Sequence, residues 1–190
     1  NKIFQLSVAR KLGFSIPNTI ISSDSKEIQH FSKENGEKVI IKPLYRSRFL
    51  ADGKEKIIFT NNLKTNHLVN DSFICFPMIF QNEIEKEYEL RVTVVGEKVF
   101  AAQVDSQNDL DTKLDWRRKT LKFKAYNLPI EIQELSVKLV KELGLGFGAI
   151  DIIKSKKGYI FLEINPNGQW VWIENDTGLK ISDAIIQYLS

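Results

Sequence analysis

Two short apolar runs, Phe147-Gly-Ala-Ile-Asp151-Ile-Ile and Tyr159-Ile-Phe-Leu-Glu163-Ile-Asn165, are separated only by the polar Lys154-Ser-Lys-Lys-Gly158. Runs of this length, rich in Ile and Phe and joined by a polar turn with glycine, predict a β-hairpin. Side chains alternate across a strand, so Glu163 and Asn165 share one face at the strand end, just before the stop Pro166-Asn-Gly168. The first run carries a single acid, Asp151. The hairpin brings Asp151, Glu163 and Asn165 together as oxygen donors, a set suited to a hard cation such as Mg²⁺ that completes its shell with substrate phosphates. A polar strand end with solvated acids would carry the same local pattern.

Length and composition narrow the class. The 190 residues suffice for one domain of two lobes with a sizeable core. A net charge of +3, mixed along the chain, gives no argument for nucleic acid as a partner. The single cysteine, Cys75, lies in the apolar run Phe73-Ile-Cys-Phe76 and reads as a buried thiol in a reducing compartment. No apolar stretch reaches membrane-spanning length and no signal peptide is visible, so the expectation is a cytoplasmic protein away from the membrane. The chain starts at Asn1, without Met and directly on a helical pattern, and so reads as a fragment lacking its amino-terminal part.

Helices are predicted over 2–12, capped by Asn1 and stopped by Gly13, from Ser25 through Phe31 to near Gly36, from Pro129 to about Leu143, and from Ser182 onward. Strands are predicted at Thr19–Ile21, Val39–Lys42, Lys56–Thr60 and Phe73–Phe76. Glu89–Val95 and Lys98–Val104 flank the two-residue turn Gly96-Glu97 and predict a hairpin. Residues 106–120 are polar and read as a long loop, as does the stretch with two Trp after the last hairpin. Strands grouped with helices, without strict alternation, argue for an α+β fold with largely antiparallel sheets. The expected division is a smaller lobe over 1–77 and a larger one over 78–190.

Several further residues carry chemistry. Lys42 leaves an apolar strand, where an ammonium is costly unless it reaches water or an anion. Lys2 lies in the first turn of a helix, where backbone N–H groups already favour anions. The segment Phe76-Pro-Met-Ile-Phe-Gln-Asn-Glu83 offers apolar side chains and main-chain groups suited to a flat heterocycle, although an interlobe linker would look similar. Glu89 and Arg91 put two charges on one strand face, which is costly without polar company. Asp115-Trp-Arg-Arg118 places two guanidiniums beside a Trp, able to hold phosphate or carboxylate, or simply solvated. No GxxxxGK[ST] or GxGxxG turn occurs, His30 and His67 lack metal-ligand spacing, and no Ser-His or Cys-His pair suggests a nucleophile. Chemistry here would be electrostatic.

In the order Lys2, Lys42, linker, Glu89-x-Arg91, Asp151, Glu163-x-Asn165, the chain resembles the ATP-grasp ligase superfamily over essentially its whole length. Within it, Lys42-Pro43, Asp52-Gly53, Glu89-Leu-Arg91-Val-Thr-Val-Val95, Asp115-Trp-Arg117 and Asn165-Pro-Asn-Gly-Gln-Trp170 resemble the microviridin-type (graspetide) peptide ligases. Ribosomal-protein glutamate ligases and related amino-acid ligases share the layout but usually carry a Gly-rich loop after the second lysine. Leu44–Gly53 has glycine only at its end. The resemblance implies an ATP-grasp fold of two lobes clasping ATP. Lys2 and Lys42 would lie on the phosphates, Met78, Ile79, Phe80 and Gln81 at the adenine, Glu83 or Glu89 at the ribose, and two Mg²⁺ at Asp151, Glu163 and Asn165. It implies transfer of the γ-phosphoryl group to a peptide carboxylate and attack by a hydroxyl or amine of the same peptide. Arg91 and Arg117 are then the candidates for holding the carboxylate and the developing oxyanion. A ribosomally made precursor peptide with a leader is the implied partner, and a homodimer the implied assembly. The rivals are an ATP-grasp ligase that adds amino acids to a carboxyl end and a nucleotide-binding module without catalysis.

Overall fold

Asn1 Oδ1 accepts the Ile3 N–H at 3.0 Å and opens α1 (Lys2–Leu12), and Gly13, at φ 108°, closes it in the left-handed region that glycine enters without a Cβ penalty. These ends match the sequence expectation. They come from a computed structural model that describes residues 1–44, 48–63 and 76–190. Of the strand expected over Phe73–Phe76, residues 73–75 with the thiol lie outside the described residues, as does His67, and Phe76 is exposed and outside any strand.

The chain divides into two units, Asn1–Ile16 with Glu85–Ser190, and Pro17–Ile84. This differs from a single boundary after residue 77. The apolar face of α1, carrying Leu6, Val8 and Ala9, packs into the core beneath the larger sheet, so residues 1–16 join the larger unit.

The unit Pro17–Ile84 holds β1 (Thr19–Ser22), α2 (Ser25–Glu34), β2 (Val39–Lys42), β3 (Arg48–Ala51), β4 (Lys54–Ile57), β5 (Asn61–Asn62) and β6 (Met78–Asn82). Asp24 caps α2 through its side chain. An antiparallel sheet runs β1-β6-β2-β5, and β3 pairs with β4 in a separate hairpin. The strand expected over Lys56–Thr60 is thus divided, its start paired in β4 and the chain returning to the sheet only at Asn61. Ile28 and Phe31 of α2 pack on Val39, Leu63 and Phe80.

The larger unit holds β7 (Tyr88–Val95), β8 (Lys98–Val104), β9 (Lys124–Ala125), α3 (Ile130–Glu142), β10 (Phe147–Ser155), β11 (Gly158–Asn165), α4 (Val171–Thr177) and α5 (Ile181–Leu189). Its antiparallel sheet runs β11-β10-β7-β8-β9. Strand alternation sends Leu90, Val92, Val94, Ile150, Ile152, Phe161 and Ile164 to one face, where they meet α1 and Leu139 and Val140 of α3. Phe161, Ile150 and Leu139 are fully buried, worth about 1.5–3 kcal/mol each. The other face carries Ala102 and Val104 against Phe123, Ile173 of α4, and Ile181 and Ala184 of α5. Gly96, at φ 58°, turns β7 into β8 as expected. Helix α4 stands where a loop was expected. Its seven residues begin with Val171, and Trp170 at its start makes no side-chain capping bond, so packing of Ile173 decides it where local propensity does not. Among the described residues no helix is long and apolar enough to cross a membrane.

Candidate functional site

The register of the larger sheet assembles the acids. Asp151 of β10 stands opposite Arg91 of β7 on one side and opposite Glu163 of β11 on the other, while Ala149 stands opposite Asn165. Directly cross-strand residues share a face, so Arg91, Asp151, Glu163 and Asn165 form one row at one end of the hairpin. Arg91 Nη1 donates to both Asp151 oxygens at 2.8 and 2.9 Å, and Asn165 Nδ2 donates to Asp151 Oδ2 at 3.3 Å. Lys2, brought in by α1, lies 3.3 Å from Glu163 Oε2. Burial pushes the Asp151 carboxyl above its ordinary range, Arg91 pulls it back, and the neighbouring Glu163 charge pushes it up again. The Arg91 Nε–H is buried without a hydrogen-bond partner, leaving one donor of a buried guanidinium for a further acceptor.

Two carboxylates and one amide cannot fill the six positions Mg²⁺ requires. Among the described residues, no three His, Cys, Asp or Glu side chains gather as a closed metal cage. With Asn165 Nδ2 turned to Asp151, its Oδ1 remains as the acceptor that a cation would meet. The donor set therefore fits a metal that arrives on phosphate oxygens and water, not one held by protein alone.

Asp115 opens a short 3₁₀ turn, Trp116–Arg118, accepting the Arg117 main-chain N–H at Oδ1 at 3.2 Å and the Arg117 guanidinium twice, Nε to Oδ1 at 2.8 Å and Nη2 to Oδ2 at 2.6 Å. The Arg117 pKa is raised, first by that pair and further by the charges of Glu163 and Asp151, so its guanidinium lies within their electrostatic reach. Trp116 stacks edge-on to Phe123 at 5.3 Å and lies 5.7 Å from Trp172, fixing the turn against the sheet.

Glu89, one of the two acids expected at the ribose, is buried and engaged through one carboxylate oxygen. Its Oε1 accepts from Lys86 Nζ at 3.0 Å and from Ser106 Oγ at 2.7 Å, and Lys86 also donates to the Leu114 carbonyl at 3.0 Å. This knot ties the strand that bears Arg91 to the loop that bears Arg117. Lys86 and Ser106 belong to no motif, so the part they play in this knot is visible only in the structure.

The remaining expected residues belong to the smaller unit. The main chain of Met78–Asn82 is not free, because β6 is flanked by β1 and β2. Asn82 N–H and Glu83 N–H donate onward to the Asn18 and Lys38 carbonyls at 3.2 and 2.8 Å. Phe80 is a core residue against α2, with Met78 packed beside it. Alternation instead puts Ile79 and Gln81 on the sheet face that carries Lys42. Gln81 Nε2 donates to Thr19 Oγ1 at 3.0 Å, while its Oε1 is buried without a hydrogen-bond partner. Glu83 is exposed.

The Asn-Pro-Asn-Gly stop has a steric reason. A Cβ at Gly168 would lie 2.5 Å from Ala149 Cβ and 2.8 Å from Arg91 Nη2. Gly168→Ala is expected to destabilise the protein by about 1–3 kcal/mol and to displace the Arg91 guanidinium. Thermal unfolding together with turnover would show both, and wild-type values for both would remove this reason for the glycine.

Comparison with known proteins agrees with this geometry. The family model of the RimK-like ATP-grasp domain matches residues 1–189. A RiPP-associated ATP-grasp ligase from Chryseobacterium gregarium, solved in complex with ADP and a leader and core peptide, superposes with a TM-score of 0.90 at 35% identity, over 100% of this chain and 59% of that one. The macrocyclase MdnC from Microcystis aeruginosa, bound with precursor peptide MdnA, superposes with a TM-score of 0.85 at 37% identity, over 100% of this chain and 60% of that one. A Haemophilus influenzae protein named a probable alpha-L-glutamate ligase is 24% identical over 188 residues, 97% of this chain and 60% of the relative. The chain thus spans about three-fifths of these relatives. The matched model covers nearly every residue, and the chain belongs to the RimK-like ATP-grasp family.

Proposed function

We propose that the chain is the ATP-grasp portion of a cytoplasmic ligase that joins side chains of a ribosomally made precursor peptide through ω-ester or ω-amide bonds. The observation that carries this is the cross-strand row Arg91, Asp151 and Glu163, completed by Asn165 and by Lys2 of α1, in which anion- and cation-binding groups stand side by side. The greater identity to two peptide-bound RiPP ligases than to the glutamate ligase supports a peptide side-chain acceptor.

Lys2 and Lys42 would hold phosphate oxygens of ATP, and Ile79 and Gln81, on the face of Lys42, together with Glu83, would form the base and ribose region, with Met78 and Phe80 seating β6 from the other face. Asp151, Glu163 and Asn165 would hold two Mg²⁺, which when bound neutralise phosphate charge. Arg91 and Arg117 hold the peptide carboxylate. One of its oxygens attacks the γ-phosphorus and ADP leaves, giving an acylphosphate. A Ser or Thr hydroxyl, or a Lys amine, of the same peptide then attacks the acyl carbon. Phosphate departs with the labile oxygen, one proton is released, and the peptide is lighter by one water. Positioning and charge neutralisation supply the catalysis. A leader segment of the peptide and a second copy of the ligase complete the assembly this resemblance implies.

Arg91→Lys keeps a cation beside Asp151 but loses the planar fork. Each lost charge-assisted hydrogen bond is worth about 1.5–3 kcal/mol, so peptide kcat/KM should fall roughly 10- to 100-fold with the KM for ATP little changed. Steady-state kinetics that leave the peptide parameters untouched would remove Arg91 from the acceptor site.

The relatedness to the glutamate ligase favours one second possibility, addition of amino acids to a carboxyl end. The intact mass of an acidic, Ser- and Thr-containing precursor peptide after incubation with full-length enzyme, ATP and Mg²⁺ separates the two. Loss of water masses supports ring closure. A gain of amino-acid residue masses, with free amino acids present, supports the tail-adding ligase and overturns the proposal.

A further inference from the structure

We infer that Gln5 is a positioning residue for the metal-binding pair Glu163 and Asn165, an inference resting on the assignment of those two side chains to the metal. β11 is the outer strand of its sheet, and among the described residues no further strand lies beside it to bond its outward main-chain groups. At Ile164, the residue separating Glu163 from Asn165, a side chain takes the place of that strand. Gln5 Nε2 donates to the Ile164 carbonyl at 2.8 Å, and Gln5 Oε1 accepts the Ile164 N–H at 3.3 Å. One amide thus reproduces both bonds of a ladder residue.

The clamp sits where β11 is least regular. The register slips after Asp151, so that Asp151 faces Glu163 while Ile152 faces Phe161, leaving Leu162 as an extra residue beside Glu163. A bulge bends its strand and re-aims neighbouring side chains. The main chain of Ser15 holds β11 on one side of it, accepting the Phe161 N–H at 2.9 Å, and Gln5 holds the other. The direction of Glu163 is set by these two anchors. Lys2, one turn before Gln5 on α1, reaches Glu163 itself at 3.3 Å. The helix is seated independently of either side chain by Leu6, Val8 and Ala9 in the core.

Only glutamine fits the task by chemistry and length. Glutamate cannot donate to the Ile164 carbonyl, and asparagine is one methylene shorter. Groups that orient metal ligands without touching the metal typically alter affinity 10- to 100-fold when removed, about the scale expected here.

The test is isothermal titration of ADP into the full-length protein with excess Mg²⁺ and, separately, with EDTA, for wild type, Gln5→Met, Gln5→Asn and Glu163→Gln. The gain in ADP affinity conferred by Mg²⁺ should fall about tenfold in both Gln5 variants, with the EDTA value changed by less than about twofold. In Gln5→Met combined with Glu163→Gln, the loss should be smaller than the sum of the single losses, because Gln5 acts through Glu163. An undiminished Mg²⁺ gain in the Gln5 variants, when Glu163→Gln has lost it, would overturn the clamp alone. So would an equal fall in EDTA, which marks general damage. Retention of the gain in Glu163→Gln would instead overturn the metal assignment beneath it. Should Gln5→Met not fold, Gln5→Asn, which keeps a polar amide, decides.

Discussion

Glu163→Gln is expected to lower ligation by roughly 10²-fold or more, since a metal ligand's charge contributes several kcal/mol to stabilising the transferring phosphoryl group. The fold should survive. Glu163 and its partner Lys2 retain 24% and 32% side-chain exposure, and a pair that open to water contributes about 0–1 kcal/mol. The isosteric amide keeps the shape of the row, removing the charge and exchanging one acceptor oxygen for an NH₂ donor. ADP release measured beside thermal unfolding separates the two effects. A Tm near wild type with turnover lost is the expected pairing, and turnover near wild type would take Glu163 out of the metal site.

Lys86→Met should be the most destabilising single change in the knot beneath the Arg117 loop. Lys86 and Glu89 have side-chain exposures of only 10% and 8%, and removing one partner of such a pair costs about 3–5 kcal/mol because the other charge stays buried. The cost depends on pH with a definite sign. Burial already raises the Glu89 carboxyl above its ordinary value, with Lys86 and Ser106 opposing. Without Lys86 the folded-state value climbs further above that of the unfolded chain. Below the unfolded value both states hold the proton and the penalty vanishes. It grows as pH rises towards the folded value. The Tm difference between wild type and Lys86→Met should therefore be larger near about pH 8 than near about pH 5. A difference independent of pH would mean that Glu89 is not the group left stranded. The loss of the Lys86 bond to the Leu114 carbonyl also frees the segment next to Asp115, so peptide binding should weaken along with stability.

What the sequence could show and what it could not divide along physical lines. Elements set by local pattern were legible. Asn1 and Gly13 bound α1, Gly96 turns β7 into β8, and the two Ile-rich runs pair as β10 and β11. The row of Asp151, Glu163 and Asn165 follows from alternation and a short turn, and Arg91 joins it because a third strand lies in register. Features set by distant packing were not legible. Helix α4 depends on Ile173 entering a core made by α5 and β8. Phe80 reads as a linker residue until β6 is seen inserted beside β1 and β2. The pairing of Glu89 with Ser106 requires a loop to fold back across a separation of seventeen positions. Gln5 bonds across 159 positions, a separation no motif encodes.

The central claim, activation of a peptide carboxylate by ATP, is tested most directly by placing a heavy-oxygen label in the acidic side chains of the precursor peptide. The labelled peptide would be incubated with full-length enzyme, ATP and Mg²⁺, and both products weighed. The account predicts that each ring closed removes one water mass from the peptide and delivers one labelled oxygen to inorganic phosphate. Release of ADP with every label retained in a peptide of unchanged mass would contradict it.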